Sequence, residues 1–340
     1  MTQNDKQNWP VWGHDWAVDF LQRSVANKRN RHAYLITGSR QVGKMQLALT
    51  FAMVLNCTHD DERLRPCMQC RSCKLIDSGN HPDMLFSQTD EKSGALKIDA
   101  IRDVMRLIAL KPFSSRYRVA IFDDFDAAQN RAQDALLKTL EEPPSHAVLI
   151  VLAESSENIM PTITSRCQLI PLRHVSQSAV QQYLEMHGAD EERATLLARL
   201  SNGRIGWALT ALRDETVMAE RDDILNKLRD VIRGNRVRRF EIAHELEKIG
   251  RKDKTDLRYL LEMWQTYWRD VLLLAQGNPV KPCNSDRLKE IEQLVQRIQV
   301  DDALKALQAT RSMLMETLKT NANMRMAFEI LFLDYPGLSR

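Results

Sequence analysis

The fold is decided by residues 33–55, which read AYLITGSRQVGKMQLALTFAMVL. The first five residues form a short apolar run of the kind that builds a buried strand, and the last eleven have the composition of a helix. Between them, Gly38 to Lys44 fits the pattern G-x-x-x-x-G-K. In such a strand–loop–helix unit the glycines let backbone N–H groups surround phosphates, while the lysine meets their charge. We therefore predict a nucleotide-binding loop rather than a simple glycine turn, with contacts from Gly38, Gly43 and Lys44.

The position after Lys44 departs from this pattern. The motif needs Ser or Thr there, because the hydroxyl ligates Mg²⁺, but the residue is Met45. A thioether is a soft donor that a hard cation rejects. Since magnesium neutralises the charge that develops during phosphoryl transfer, its loss harms hydrolysis more than binding. We expect that ATP or ADP can bind but is not required, and that hydrolysis fails.

A second acidic element follows the apolar run Val119 to Phe122. Asp123 stands where a metal-associated carboxylate would lie, and Asp124 where a glutamate normally polarises the attacking water. Aspartate is one methylene shorter, and a misplacement of about 1 Å can cost on the order of a hundredfold in rate. The plainer interpretation is that both are acids at the end of a strand.

The first 170 or so residues alternate between helical and strand patterns. Val18 to Ala26 and Asn130 to Leu140 have helical spacing, whereas Val119 to Phe122 and Val148 to Ala153 are continuous apolar runs of strand length. Runs of that kind are typical of strands covered on both faces. The alternation predicts an α/β fold with a parallel sheet flanked by helices.

From about His174 onward only helical patterns remain. Three short ones precede Asp214, and longer ones follow it. The predicted domains are a P-loop domain over residues 1–172 with an inserted four-cysteine module at about 57–73, a small three-helix domain over 173–214, and an all-helical domain over 215–340.

The composition limits the partners and the compartment. Forty-eight basic residues nearly match forty-five acidic ones, so the formal charge of +3 gives no general field for nucleic acid. No apolar run approaches the roughly 20 residues of a membrane-spanning helix, and the N-terminus lacks the features of a signal peptide. We expect a cytoplasmic protein with no membrane partner and with reduced thiols.

Four of the six cysteines lie close together in the sequence, with the spacing C-x9-C-x2-C-x2-C. Four thiolates can close a tetrahedral zinc site that leaves no position for water, so we predict a structural Zn²⁺. The predicted ligands are Cys57, Cys67, Cys70 and Cys73. A redox C-x-x-C motif is the competing interpretation. Charges of both signs surround the cluster and argue against DNA contact there.

Further motifs connect these features to a known family. The string LLKTLEEPP at residues 136–144 and the triplet Ser165-Arg166-Cys167 follow the loop and the cysteine insertion in that order. Together they resemble the clamp-loader subunits of bacterial DNA polymerase III over roughly the first 210 residues. The segment NMRMAFE at 323–329 gives weaker support in the C-terminal helices.

The resemblance implies an AAA+-type P-loop domain, a small helical lid and an all-helical collar through which subunits assemble. It also implies that Arg166 projects into the ATP site of an adjacent subunit, where an arginine finger is worth a factor of about 10³–10⁵ in rate. The implied partners are the gamma and tau ATPase subunits, the delta subunit and, through the assembled complex, the sliding clamp and primed DNA.

Three departures from the family's motor subunits point in one direction. Gly206 stands where those subunits have a sensor arginine, in addition to Met45 and Asp124. Jointly they favour a non-motor, stator-like subunit within the polymerase complex. The alternative is a catalytically active clamp-loader ATPase of the gamma or tau kind, and a third possibility is a zinc-dependent DNA-binding repair factor.

The all-helical region contains a set of aromatic residues that two interpretations fit. Trp264, Tyr267 and Trp268, with Tyr259, could anchor packing between subunits. Aromatics at helical spacing are more often intramolecular core.

Overall fold

The computed structural model describes residues 9–87, 96–252, 254–316 and 323–337, which form two compact units. The first unit contains residues 9–87, 96–183 and 203–207, and the second contains 184–202 and 208–337. Within these residues, no helix combines the length and the apolar character needed to cross a bilayer. The predicted division into three domains stays a prediction.

A five-stranded sheet organises the first unit. The strands are β1 Ala33–Thr37, β2 Met84–Phe86, β3 Arg118–Phe122, β4 Ala147–Ala153 and β5 Gln168–Pro171. They lie in the order β2-β3-β4-β1-β5, and every neighbouring pair is parallel. The predicted α/β fold with a parallel sheet is confirmed.

Apolar side chains cover both faces of this sheet. In β1, Tyr34 and Ile36 join one buried cluster, whereas Ala33 and Leu35 join the other. Alternate residues of a strand point to opposite faces, so a strand buried on both sides needs a continuous apolar run. This explains why β1, β3 and β4 are apolar throughout.

Seven helices of the first unit pack around the sheet or extend from it. They are α1 Asp15–Ala26, α2 Lys44–Asn56, α3 Arg71–Asp77, α4 Ile98–Ile108, α5 Asn130–Gln133, α6 Leu137–Glu141 and α7 Pro161–Thr164. The continuous helix predicted over Asn130 to Leu140 was wrong in detail, because residues 134–136 tighten into a 3-10 turn. The buried amide of Gln133 beside this turn bonds to the backbone of Ala128, Asn158 and Met160, so tertiary contacts override the local helical pattern.

The remaining helices follow the predicted pattern within a few residues. They are α8 Gln177–Met186, α9 Glu191–Leu200, α10 Ile205–Arg213, α11 Thr216–Arg233, α12 Arg236–Lys252, α13 Lys254–Ala275, α14 Leu288–Val295, α15 Val300–Glu316 and α16 Met324–Asp334. One helical pattern in the sequence extends from Asp302 to Leu318, and its last two residues lie outside the described part of the chain.

The aromatic residues of α13 form the core of the second unit. Trp264 and Trp268 are fully buried, and Trp264 contacts the rings of Phe328, Phe332 and Tyr335 at centroid distances of 6.0–6.4 Å. Of the two interpretations of these aromatics, intramolecular packing is therefore correct for the buried tryptophans.

Arg239 ties the end of α16 to the same unit. Its buried guanidinium donates hydrogen bonds to the carbonyl oxygens of Val231, Phe332, Tyr335 and Pro336 at 2.6–3.1 Å. The last carbonyls of a helix have no partner within the helix, so an arginine that binds them satisfies buried acceptors.

A buried carboxylate holds the loop that leads into β3. Asp83 is fully buried and accepts hydrogen bonds from the N–H groups of Phe113, Ser114 and Ser115 and from the Ser115 hydroxyl, at 2.6–3.0 Å. Arg118 Nη2 lies 3.4 Å from Asp83 Oδ1. Burial alone would raise the pKa of Asp83, but these hydrogen bonds lower it to about 2.

We predict that Asp83→Asn lowers the free energy of unfolding by about 2 kcal/mol at neutral pH, because the amide cannot accept all four hydrogen bonds. Because the pKa of Asp83 is lower in the folded chain than the value of about 3.9 expected in the unfolded chain, its carboxylate stabilises the fold at pH values above about 3.9. This contribution is lost as the pH falls from about 5 towards 2, so the difference between variant and wild type should shrink in that interval. Urea denaturation of both proteins at a series of pH values measures this difference in the free energy of unfolding.

Asp99→Asn is the matched control. Asp99 is exposed and, among the described residues, its ion-pair partner is Arg102 at 3.7 Å, so its replacement should change the unfolding free energy by less than about 0.5 kcal/mol. Equal stability of Asp83→Asn and wild type at neutral pH would contradict the account of Asp83.

Candidate functional site

The four predicted metal ligands come together at the end of α2. The sulfur atoms of Cys57, Cys67, Cys70 and Cys73 all lie within 4.8 Å of one another. A tetrahedral zinc site with Zn–S distances of about 2.3 Å has sulfur–sulfur edges of about 3.8 Å, so small side-chain rotations would close the cluster on an ion. The group could therefore hold a metal such as zinc.

Backbone donors surround this cluster. The N–H groups of Cys67, Cys70 and Cys73 donate to the sulfurs of Cys57, Cys67 and Cys70 in turn, at 3.3–3.4 Å. Burial raises the pKa of the Cys57 and Cys73 thiols, and it would also raise that of Cys70, but hydrogen bonds from the backbone of Cys73 and Thr58 lower the pKa of Cys70 to about 6. Donors of this kind support thiolates, the form of cysteine that ligates metals.

Two nearby histidines have other partners. His81 Nε2 lies 3.2 Å from Ser72 Oγ, and His59 Nδ1 accepts a hydrogen bond from the Asp61 N–H at 3.1 Å. Cys57 and Cys73 are buried within the core cluster on one face of the sheet. The all-cysteine set therefore needs neither histidine, and its position within the core is that of a structural element.

The predicted phosphate loop connects β1 to α2. Gly43 precedes α2 with a φ of 114°, a conformation that disfavours any side chain. Lys44 Nζ donates to the carbonyl oxygens of Gly38 and Ser39, at 2.6 and 3.1 Å. The lysine that would meet a phosphate is thus bonded to the carbonyls of its own loop.

A second segment packs tightly against this loop. The Gly206 N–H donates to the Gln41 carbonyl oxygen at 2.8 Å. A Cβ atom built on Gly206 would lie 2.8 Å from the same oxygen, closer than real Cβ contacts allow. Any side chain at position 206, including a sensor arginine, would therefore require the backbone to move.

Acidic groups from two strand ends face Lys44. Asp123 and Asp124 follow β3, and the Asp124 N–H donates to Asp123 Oδ1 at 2.9 Å. Burial lowers the pKa of Lys44, while the charges of Glu154, Asp126, Asp123 and Asp124 oppose this shift, with Glu154 the largest of them. The charges of the two predicted aspartates thus act on Lys44.

Sequence reasoning missed two members of this group, Asp126 and Glu154. Asp126 accepts hydrogen bonds from the Glu154 N–H at 2.6 Å and from Asn158 Nδ2 at 2.8 Å, which links the ends of β3 and β4. Glu154 directly follows the predicted strand Val148 to Ala153. The carboxyl ends of parallel strands meet at one edge of a sheet, so a signal for Glu154 was available.

Arg166 lies on the surface, two residues after α7. Its guanidinium donates to the Thr162 carbonyl oxygen and to Glu141 Oε1, each at 2.9 Å, and its side chain is 37% exposed. The next residue, Cys167, packs against the core on the other face of the sheet, where burial raises the pKa of its thiol to about 12. The arginine is thus anchored through its neighbour while its charged end stays accessible.

Comparison with known proteins shows that the chain is similar to subunits of DNA polymerase III. A family model described as "DNA polymerase III, delta subunit" matches residues 13–176. DNA polymerase III subunit delta' of Bacillus subtilis (strain 168) is 29% identical over 277 residues, which cover 81% of this chain and 82% of that protein. DNA polymerase III subunit tau of the same organism is 32% identical over 210 residues, which cover 59% of this chain but only 36% of that protein.

A solved structure shows a weaker similarity. It is a DNA polymerase III gamma subunit-related protein from Thermotoga maritima, with a TM-score of 0.47 and 18% sequence identity. The alignment covers 93% of this chain and 97% of that one.

Proposed function

Because the chain belongs to the DNA polymerase III clamp-loader family, we propose that it is the non-motor, delta-prime-type subunit of the sliding-clamp loader in DNA replication. In this proposal the chain donates Arg166 to the nucleotide site of a neighbouring ATPase subunit. The observation that carries the proposal is the setting of Arg166, which is accessible, anchored and held only by surface contacts.

The surface pair between Arg166 and Glu141 supports a role in trans. An exposed ion pair of this kind contributes at most about 1 kcal/mol, because water competes for both partners. Arg166 can therefore exchange the Glu141 carboxylate for a phosphate oxygen of a neighbour at little cost. A guanidinium at a γ-phosphate stabilises the charge of the transition state.

The chain's own loop supports a non-motor role. Met45 offers no hydroxyl to magnesium. The close approach at Gly206 excludes a sensor arginine. ATP or ADP is thus an optional ligand of this subunit, and the hydrolysis that it promotes takes place at a site built mainly by another chain.

The partners follow from the same proposal. They are the gamma or tau ATPase subunits and the delta subunit, with the sliding clamp and primed DNA contacted through the assembled complex. Helices after residue 214 form the collar for assembly, residues 173–214 form the lid, and residues 1–172 form the AAA+ domain. The complex acts in the cytoplasm.

Zinc is the metal that we assign to the cysteine cluster. Zn²⁺ favours tetrahedral sulfur ligation, and a set of four thiolates leaves no open position for catalysis. Cys57, Cys67, Cys70 and Cys73 would hold the ion, which would cross-link the end of α2 to α3.

An active ATPase of the gamma or tau kind is the second candidate. The 32% identity to subunit tau, against 29% to subunit delta', favours it, as do Gly38, Gly43 and Lys44. A steady-state ATPase assay on the purified chain separates the two candidates. Turnover that Lys44→Ala abolishes would establish the active enzyme, whereas the proposed function requires negligible turnover in both proteins.

We predict that Arg166→Ala leaves folding and assembly of the loader intact but lowers ATP turnover at the adjacent site by about a thousandfold, because the transition-state charge loses its cation. Arg166→Lys should restore little, since a lysine ammonium cannot reproduce the planar, bidentate geometry. Single-turnover hydrolysis by the reconstituted complex measures the effect.

Arg29→Ala is the control for this experiment. Arg29 is exposed in the same unit and has no ion pair among the described residues, so its removal should leave turnover unchanged. Wild-type turnover in a correctly assembled Arg166→Ala complex would rule out the arginine finger.

The metal assignment predicts that the purified chain holds one zinc ion. Cys70→Ser should release it and lower the melting temperature, because a structural zinc site contributes folding energy. Cys283→Ser removes a half-buried thiol outside the cluster and should retain the metal. Elemental analysis and thermal denaturation test both variants, and a wild-type chain without zinc would refute the assignment.

A further inference from the structure

The second unit contains a cavity of about 350 Å³ that the proposed function does not use. Arg229 and Arg233 of α11 line it together with Arg297, which follows α14, and Ile232 and Leu294 supply apolar lining. This set of residues is called the arginine cavity below. Its volume lies within the range of about 300–1,000 Å³ that is usual for small-ligand sites.

The carboxylate of the arginine cavity is already neutralised. Glu290 lines the cavity, but it accepts a hydrogen bond from the Tyr267 hydroxyl at 3.2 Å and lies 3.5 Å from Arg287 Nη1. Arg287 also pairs with Asp222 at 2.9 Å. The acid of the cavity is therefore engaged by groups other than the three arginines that line it.

The cavity arginines themselves have little compensation. Arg233 and Arg297 form no ion pair within the described parts of the chain, and Arg229 reaches Asp230 only at 4.0 Å. Arg229 and Arg233 stand four residues apart on one helix, where like charges repel and destabilise the helix. Arg233 and Arg297 are exposed and solvated, and the three guanidinium groups together give this open concave surface a positive charge that attracts anions.

We propose that the arginine cavity binds phosphate groups, either of single-stranded nucleic acid or of a free nucleotide. The planar guanidinium matches a phosphate through paired hydrogen bonds. Three of them exceed the charge of a single carboxylate, whereas a terminal phosphate or successive phosphates of a strand supply more than one negative charge. The Gln293 amide in the lining can donate to and accept from a base or a sugar.

The test uses the full chain and a fluorescein-labelled oligothymidylate of about 15 nucleotides, which is within the range of single-strand site sizes. Fluorescence anisotropy over a series of salt concentrations gives the affinity and its salt dependence. Unlabelled ADP and pyrophosphate serve as small phosphate competitors, and polyglutamate serves as a non-phosphate polyanion.

We expect the double variant Arg233→Ala/Arg297→Ala to bind the oligonucleotide at least tenfold more weakly. The slope of log affinity against log salt should fall by about 1.4, since each phosphate contact on a single strand contributes about 0.7. The control Arg311→Ala removes an exposed arginine of the same unit that does not line the cavity, and it should bind like the wild type.

The competitors identify the source of the phosphate. Displacement of the oligonucleotide by ADP or pyrophosphate from the wild type would indicate a nucleotide site, and resistance to both would indicate strand phosphates. Unchanged binding by the double variant would overturn the proposal. So would polyglutamate competing as well as unlabelled oligonucleotide, which would indicate an acidic protein partner. Because the assay uses the lone chain, its failure leaves the proposed role of Arg166 untouched.

Discussion

The backbone contact between Gly206 and Gln41 fixes the start of α10 against the predicted phosphate loop. The 2.8 Å hydrogen bond brings the start of α10 against the phosphate loop and leaves no space for a side chain at position 206. A sensor arginine cannot be added here without moving the backbone. The loop keeps the glycines and the lysine of the predicted phosphate-binding pattern, and in the proposed function it does not carry out hydrolysis.

Other features of the first unit agree with a non-motor role for its phosphate loop. The parallel sheet carries the loop with Lys44 and the acidic residues that follow β3 and β4, whose charges act on that lysine. The guanidinium of Arg166 is accessible, and it is held by the surface carboxylate of Glu141, which another anion can replace. In the proposed function a fold inherited for hydrolysis serves as a rigid support for one arginine.

The strands that the sequence predicts well are those buried on both faces. Every residue of β1, β3 and β4 is buried, and the apolar runs in the sequence therefore predict these strands directly. β2 and β5 are three and four residues long and partly exposed, and such short segments have no usable periodicity. The 3-10 turn at 134–136 depends on hydrogen bonds made by Gln133 to residues 25 or more positions away, which no local pattern reports.

Some features of the candidate site could likewise be predicted from the sequence, and others could not. The cysteine spacing alone predicts a cluster that the structure brings together, because two short loops suffice to converge four thiols. The roles of Asp83 and Asp126 were not predictable, since each depends on partners about 30 residues distant. The role assigned to Arg166 depended on resemblance to a family, because one arginine among many carries no distinguishing local pattern.

In the proposed function, the phosphate chemistry that this chain serves takes place in a neighbour's pocket. The most direct test of this proposal is a cryo-EM structure of the assembled loader with ADP and beryllium fluoride, which mimics the γ-phosphate. If Arg166 acts in trans, its guanidinium lies within hydrogen-bond distance of the fluoride atoms in the adjacent subunit and is released from Glu141. Arg166 still paired with Glu141, together with an ordered magnesium beside Lys44 of this chain, would contradict the proposal.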